Sequence, residues 1–370
     1  MKILICADLS SVQDYIRLLA EAYTAAGHSV TLGPQRFLGD GEIPDVLHLH
    51  WPEQLYKVND YLSVSQASLE RVSARLKEYK RQGVTIVYTQ HNLAPHEVLD
   101  DSFEKEIYRI FAQAADLVVH HGEASVRAVQ SLAEYSSVKE HLVLPFGAYP
   151  VYAPPETPGK VLYQLPQSAC VLLNFGLQRR YKGAAFIGSV FSGLDYAEYH
   201  LFTIGPLAPR PKRLPGRIWR RVRVVSNQLT QPIRKAVSGH TRLWRSVPNE
   251  EVSAIMDATD IVFLGHGSGL NSGLVTLAAG YAKPVVYPDI GNFGEQLNGW
   301  SWAEPYAPGD QISARLAITS LRSRLSCADE ESMRVGHEAW IKKHDWGVHA
   351  TQIIVWCKRH RMERGALIEH

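Results

Sequence analysis

The stretch "ATDIVFLGHGSGLNSGLVTLAAGYAKPVVYP", Ala258–Pro288, begins with an apolar run, continues through a glycine-rich segment and small residues, and ends in a second apolar run. Short apolar runs bounded by glycine or proline predict buried strands, and the segment Gly273–Tyr281 between them predicts a helix. A strand, a loop, a helix and a second strand in this order form a β-α-β unit, in which the two strands are parallel. The stretch therefore predicts an α/β fold.

The same alternation extends over the whole chain. The proline-rich segment 145–160 divides it into two series, which is typical of a domain boundary. With 370 residues, 45% of them hydrophobic, the chain is long enough to bury two cores. The predicted strands are "KILICAD", "HSVTLG", "DVLHLHW", "VTIVYTQH" and "ADLVVHH", then "ACVLLNFG", "YHLFTIG", "RLWRS", "ATDIVFLG" and "KPVVYP". We therefore predict two Rossmann-like doubly wound domains facing a cleft, over residues 1–150 and 151–350, and a C-terminal helix over 351–370.

Targeting and metal-binding signals are missing from the sequence. The apolar run Ile3–Cys6 is too short for a signal peptide, and no apolar run has the length of a membrane span. We therefore expect a cytoplasmic protein. The four cysteines are widely spaced, and no Cys-x-x-Cys or Cys/His cluster has the spacing of a zinc site, so we expect them to be reduced packing residues.

A strongly basic block covers Arg210–Arg245, which holds 11 Lys and Arg residues and no Asp or Glu, although the net charge of the chain is only +2. Such a block fits an ordinary solvated surface, a polyanionic substrate or the anionic headgroups of a membrane, and the sequence leaves these alternatives open. Nucleic acid is not expected as a partner, because no nucleic-acid-binding motif accompanies the charge and Trp219 and Trp244 are too few for a stacking platform.

Polar side chains follow three of the predicted strands, where a parallel sheet places its ligand-binding loops. Glu53 follows "DVLHLHW", and His91 and Glu97 follow "VTIVYTQH". His48 alternates with leucines inside its strand, so we interpret it as a hydrogen-bonded histidine of the sheet. Glu97 also fits the first turn of a helix, where acidic side chains are favoured.

The third strand, "ACVLLNFG", is followed by Arg179 and Lys182, just before the turn glycine Gly183. Adjacent basic residues usually form a solvated surface. Their position between a strand and a turn favours contact with a ligand for Arg179 and Lys182.

Several segments, taken in order, resemble GT-B glycosyltransferases. "FGLQRRYKG", "TIGPL", "VPNEEVSAIMDATDIVFLG" and "LNSGLVTLAAGYAKPVVYPDIGNFGE" resemble the C-terminal half of such enzymes. "HLHWPE", "TQHNLAPHE" and "PFGAY" resemble bacterial glycosyltransferases of exopolysaccharide and glycolipid biosynthesis, including GDP-mannose-dependent β-mannosyltransferases. The resemblance covers essentially the whole chain. It implies transfer of a hexose from a nucleotide-diphosphate sugar, with GDP-mannose as the candidate donor, to a saccharide or lipid-linked saccharide acceptor.

The resemblance makes the first domain the acceptor domain and the second the donor domain. In the second, glycines let a diphosphate approach the backbone closely, and Asn271, Ser272 and Gly273 open a helix whose N-terminal amides attract anions. Asn271 or Ser272 also fits a simple helix N-cap. Arg179 and Lys182 would stabilise the leaving phosphate, and Glu295 is the nearest acid that could face the cleft. The predicted donor-binding residues are Arg179, Lys182, Asn271, Ser272, Gly273 and Glu295.

The chain departs from the pattern of many retaining GT-B enzymes, which carry two glutamates separated by seven intervening residues ahead of the strand that corresponds to "KPVVYP". The corresponding positions hold Gly269 and Leu277. We therefore expect an inverting enzyme, which needs a base for the acceptor hydroxyl, and the candidates are His91, Glu53 and Glu97. No Asp-x-Asp motif occurs, so we expect no essential metal ion and no cofactor.

Two alternatives share this sequence pattern. A nucleotide-sugar 2-epimerase has the same fold and needs no acceptor. A non-catalytic two-lobed sugar-binding protein also has two such domains, but the pair Arg179 and Lys182 suits a phosphate better than a neutral sugar. An acceptor on a lipid would place the enzyme peripherally at the inner membrane face.

Overall fold

The structure, a computed structural model, describes residues 1–9, 14–57, 60–95, 99–132, 135, 140–207, 239–327 and 329–366. The chain divides into two compact units. The first unit comprises Met1–Tyr149 and Lys342–His370, and the second comprises Pro150–Ile341. No helix in the described residues is both long enough and apolar enough to cross a bilayer.

The first unit is built on a six-stranded parallel sheet in the order β2-β1-β3-β4-β5-β6. Its strands are β1 (Lys2–Cys6), β2 (Ser29–Leu32), β3 (Val46–Leu49), β4 (Thr85–Thr89), β5 (Leu117–His120) and β6 (Glu140–Val143). The helices between them are α1 (Asp14–Ala25), α2 (Pro34–Leu38), α3 (Gln66–Arg81), α4 (Asp101–Ala114) and α5 (Glu123–Gln130).

The second unit also has a six-stranded parallel sheet, in the order β12-β11-β10-β7-β8-β9. Its strands are β7 (Cys170–Phe175), β8 (Tyr199–Ile204), β9 (His240–Leu243), β10 (Ile261–Phe263), β11 (Val285–Pro288) and β12 (Ala303–Tyr306). Its helices, in chain order, are α6 (Gly159–Leu162), α7 (Ala184–Phe191), α8 (Val252–Asp257), α9 (Gly273–Gly280), α10 (Phe293–Gln296), α11 (Gln311–Ser326) and α12 (Glu330–Lys343).

The last helix, α13 (Trp346–Ala366), begins earlier than the expected residue 351 and packs in the first unit. Its apolar residues Ile353 and Cys357 lie in a core cluster with Ile3 of β1 and Leu19 of α1. The next residue of β1, Leu4, lies in a separate cluster with α3 and α4. Because successive strand residues point to opposite faces, the sheet is covered on both sides, which is the doubly wound arrangement.

Each sheet has one point where the strand order reverses. It lies between β1 and β3 in the first unit and between β7 and β10 in the second. Helices that leave neighbouring strands toward opposite faces open a crevice at the carboxyl ends of those strands, where ligands of such sheets bind. The loops after β3, β7 and β10 carry most of the candidate site residues.

Candidate functional site

In the second unit, the loops after β7 and β10 pack tightly against each other. Gly183 has a φ of 66°, which glycine adopts without strain, and a side chain at this position would overlap the Gly265 carbonyl. The Gly267 amide donates a hydrogen bond to the Tyr181 carbonyl oxygen at 2.8 Å. We call the loop after β7 the basic loop and the loop after β10 the glycine-rich loop. These contacts join the two loops at the point where the strand order reverses.

Lys182 lies in a short 3₁₀ turn, Arg180–Lys182, at the end of this basic loop. A Cβ built at Gly176 would lie 3.2 Å from the Lys182 Nζ, so the ammonium lies close to the backbone of this glycine. Burial, and secondarily the Arg179 guanidinium, lower the pKa of Lys182 to about 8. Arg180, its neighbour in the turn, is exposed. Lys182 is therefore a partly buried cation that the Arg179 guanidinium repels.

The glycine-rich loop ends at α9, whose N-cap position is Ser272. The expected capping by a side chain does not occur there, because Ser272 makes no such bond and its amide donates to Gln296 Oε1 at 3.0 Å. Asn271 Oδ1 accepts from Asn292 Nδ2 at 2.8 Å. In the described part of the chain, no acceptor bonds the amides of Gly273 and Leu274, which remain available to an anion.

The groups that brace this loop were not predicted from the sequence. The side chains of Asn292 and Gln296 are fully buried, and the Asn292 amide donates to the Leu270 carbonyl at 2.7 Å. The available signal was their place directly after β11, a strand end like the others. His266 is also buried here, with its ring centroid 5.3 Å from that of Phe293. Glu295 lies on α10, partly buried, within this bracing segment.

In the first unit, His91 lies directly after β4 and is almost completely buried, with 6% of its surface exposed. Its Nε2 lies 3.0 Å from Nδ1 of His50, which follows β3. Its ring stacks on Trp51, with centroids 3.9 Å apart and planes 15° apart. The edge of Tyr15, on α1, contacts it at a centroid distance of 4.8 Å. The structure thus brings His91 together with other aromatic rings and a second imidazole.

Further imidazoles surround this pair. As expected for a histidine of the sheet, His48 bonds the Tyr23 hydroxyl at 3.0 Å and Thr89 Oγ1 at 2.8 Å. The Nδ1 atoms of His121 and His349 lie 3.2 and 3.0 Å from the backbone carbonyls of Leu144 and Pro145 and donate to them. We call His48, His50, His91, His121 and His349 the histidine cluster.

The histidine cluster is neutral at physiological pH. Burial, reinforced by the neighbouring imidazoles, holds the pKa values of His50 and His91 well below the ordinary histidine value. Burial also lowers the pKa of His48 and of His121 to about 3 and that of His349 to about 4. Burial disfavours the charged form of an imidazole, so these histidines keep their uncharged form.

The two glutamate candidates have different outcomes. Burial raises the pKa of Glu53, and its carboxylate accepts a hydrogen bond from the Tyr108 hydroxyl at 2.8 Å. Glu97 lies outside the described residues, as does most of the basic block, residues 208–238. The described end of that block forms β9, and Arg245 pairs there with Glu251.

Among the described residues, no group of three or more His, Cys, Asp or Glu side chains is arranged to hold a metal ion.

Two doubly wound parallel sheets in tandem, each with its own reversal of strand order, define the GT-B fold class of α/β proteins. The predicted fold class is therefore confirmed.

Comparison with solved structures gives the same fold. The chain is similar to sucrose-phosphate synthase from Thermosynechococcus elongatus, with a TM-score of 0.71, 14% identity, and coverage of 99% of both chains. It is similar to the catalytic domain of starch synthase IV from Arabidopsis thaliana bound to ADP and acarbose, with a TM-score of 0.65, 12% identity and coverage of 98% of this chain and 99% of that one. It is also similar to HepE from Anabaena in complex with UDP, with a TM-score of 0.64, 14% identity and coverage of 97% and 100%. No family model and no curated protein matches the chain.

Proposed function

We propose that the protein is a glycosyltransferase that moves a hexose from a nucleoside-diphosphate sugar to a hydroxyl of a saccharide or lipid-linked saccharide. The observation that carries the proposal is Lys182, a partly buried ammonium with no carboxylate partner in the described residues, in the loop that packs on the glycine-rich loop before α9. A diphosphate would supply the missing negative charge. Two of the similar structures hold the nucleoside diphosphates ADP and UDP, which supports this ligand class.

The reaction breaks the bond between the anomeric carbon and the β-phosphate oxygen, and the departing oxygen keeps the electron pair. Lys182, Arg179 and the amides of Gly273 and Leu274 stabilise the negative charge that develops there. Removing one such donor from a preorganised site typically costs about 10²–10³ in rate. Glu295, on the segment that braces the loop, is assigned to the donor sugar or ribose.

The acceptor hydroxyl attacks the anomeric carbon and gives its proton to a base, which we assign to His91. Burial keeps this imidazole unprotonated, so it is in the proton-accepting form at neutral pH. Glu53 is the second candidate, although its carboxylate already accepts a hydrogen bond from Tyr108. The outcome is inversion at the anomeric carbon, and we propose that it needs no metal ion.

The sequence resemblance supports a more specific proposal for the sugar donor and for the location of the enzyme. GDP-mannose is the first donor to test, and a lipid-linked acceptor of exopolysaccharide synthesis would place the enzyme at an anionic membrane surface through the basic block. Sedimentation with anionic and neutral liposomes tests this second point. Equal sedimentation with both would remove the proposed role of the block.

A panel of nucleotide sugars that includes GDP-mannose and UDP-glucose tests the proposed function. Thermal stabilisation identifies the donor. Release of the nucleoside diphosphate is then measured in excess chelator, with and without saccharide acceptors. We expect acceptor-dependent release that the chelator does not abolish. Conversion of the donor sugar without any acceptor would instead indicate the epimerase, and binding without turnover a non-catalytic protein.

A further inference from the structure

The side chain of Gln178 makes two hydrogen bonds at the start of the basic loop. Its Nε2 donates to the Gly176 carbonyl oxygen at 2.8 Å, and its Oε1 accepts from Nδ2 of Asn174, in β7, at 3.1 Å. A carbonyl oxygen can only accept, so the bond to Gly176 fixes which way the Gln178 amide faces. Asn174 and Gln178 are both buried, with 5% and 9% of their surfaces exposed. The end of β7 is thus tied to the loop that follows it.

Gly176 is held from a second side by the loop after β8. Its φ of 96° is one that glycine adopts without strain. A side chain at Gly205 would overlap the Gly176 carbonyl oxygen, so the two backbones approach closely. The Gly176 amide donates to the Ile204 carbonyl, and the Gln178 amide donates to the Pro206 carbonyl, both at 2.9 Å. The peptide groups on both sides of the Gly176 Cα are therefore fixed.

Lys182 lies next to this fixed glycine, with its Nζ 3.2 Å from the position of a Cβ built at Gly176. A lysine side chain has four rotatable bonds, and its ammonium is strongly hydrated. Such a group turns toward water unless the surrounding backbone confines it. The position of the Gly176 backbone therefore decides how far the Lys182 ammonium is kept from water.

We propose that Gln178 is a positioning residue that holds the Lys182 ammonium in the diphosphate site by fixing the Gly176 backbone, an inference that rests on the proposed role of Lys182. Gln178 acts through the backbone of the basic loop and not through the ligand. A cation confined before the ligand arrives binds it without the cost of ordering a free side chain. Loss of the two side-chain bonds would let the loop relax and the ammonium turn to water.

Replacing Gln178 by Met keeps the length of the side chain and removes both hydrogen bonds. We expect Gln178→Met to weaken the binding of GDP or UDP about tenfold, measured by isothermal titration, because the ammonium must then be ordered on binding. Gln311→Met is the matched control. Gln311 is exposed at the start of α11, so this variant should bind like the wild type.

A double variant separates positioning from stability. Gln178→Met leaves the buried Asn174 amide without its acceptor, which lowers stability. Adding Asn174→Leu removes that unpaired group, so the double variant should melt at a higher temperature than Gln178→Met. We expect it to bind GDP and UDP as weakly as Gln178→Met, because the Gly176 backbone is still unsupported. Affinity that returns together with the melting temperature would reduce the role of Gln178 to stability and overturn the proposal.

Carbon NMR of ¹³C-lysine-labelled protein follows Lys182 without any ligand. In the wild type we expect the low pKa of about 8, which burial and the Arg179 guanidinium produce. In Gln178→Met we expect the pKa to rise toward the ordinary lysine value, because the ammonium reaches water. An unchanged Lys182 pKa or an unchanged affinity in this variant would overturn the role of Gln178. A wild type that binds neither GDP nor UDP would instead contradict the proposed function.

Discussion

Lys182 occupies a position where a cation is costly to hold. An ammonium removed from water without a counter-charge destabilises a folded chain or loses its proton, and the pKa of about 8 shows the second tendency. The cost is offset if an anion binds there. Arg180, two residues earlier, is exposed and has no such role.

Replacing Lys182 by Met keeps the aliphatic side chain and removes its charge. We expect Lys182→Met to weaken the affinity for a nucleoside diphosphate by about 10–100-fold, because a charge-assisted bond in a partly buried site is lost. Isothermal titration with GDP and UDP measures this. Arg180→Met is the matched control and should bind like the wild type.

The same titration has a pH signature. Below about pH 8 the Lys182 ammonium is charged and attracts the diphosphate, and above it the group becomes neutral, so affinity should fall as pH rises through that value. The bound anion will move the midpoint upward. Lys182→Met should lose this dependence. A wild-type affinity that stays constant from pH 7 to 10 would assign the attraction to other groups.

Candidate site residues that follow strands can be proposed from the sequence one at a time. The residues that contact them in the folded chain cannot. His91 and Lys182 are candidates because a strand end is where a parallel sheet places ligand groups. His349 contributes to the histidine cluster from a helix 258 positions further along the chain than His91, and no local pattern relates them. The burial that distinguishes Lys182 from Arg180 also depends on tertiary packing, which the local sequence does not show.

At the scale of elements, the start of α9 depends on its bracing segment. Two buried amide side chains, Asn292 and Gln296, hold Asn271 and Ser272, and the next two backbone amides have no acceptor among the residues that the structure describes. A helix start fixed in this way binds an anion without a further ordering cost.

A bulky residue at Gly273 would cover those amides. We expect Gly273→Val to weaken nucleoside-diphosphate binding at least tenfold, because its branched side chain keeps phosphate oxygens from the backbone. Gly188→Val is the matched control: Gly188 lies in α7, and a Cβ there meets nothing within 4 Å. Undiminished binding by a folded Gly273→Val protein would exclude this helix start from the site.

The described residues form twelve strands, of which ten were predicted, and the two missed strands lie at sheet edges. β6 (Glu140–Val143) and β12 (Ala303–Tyr306) are the outer strands on one side of each sheet. Their sequences "EHLV" and "AEPY" lack a continuous apolar run, because an edge strand pairs on one side only and tolerates polar residues and proline. β9 begins at His240, two residues before the predicted "RLWRS".

For the whole molecule, the buried histidines make stability depend on pH. Their folded pKa values, about 3 for His48 and His121 and about 4 for His349, lie below the unfolded value of 6.5. The unfolded chain therefore binds protons first as pH falls, and stability is lost progressively from about pH 6.5 down to about pH 3. At pH 5 each such histidine costs about 2 kcal/mol.

We expect the melting temperature to fall markedly between pH 7.5 and pH 5.5. His121→Asn keeps a donor for the Leu144 carbonyl and removes one titrating group, so its melting temperature should depend less steeply on pH than that of the wild type. Differential scanning calorimetry compares the two. Identical pH dependence in both proteins would mean that folding does not lower the pKa of His121.

We propose above all that the loops at the switch point of the second sheet bind a nucleoside diphosphate. Hydrogen–deuterium exchange, measured by mass spectrometry with and without saturating GDP or UDP, locates that binding directly. We predict slower exchange in residues 176–183 and 265–275, because these loops supply the cations and the unpartnered amides. Saturable binding that leaves exchange in both segments unchanged would contradict the account.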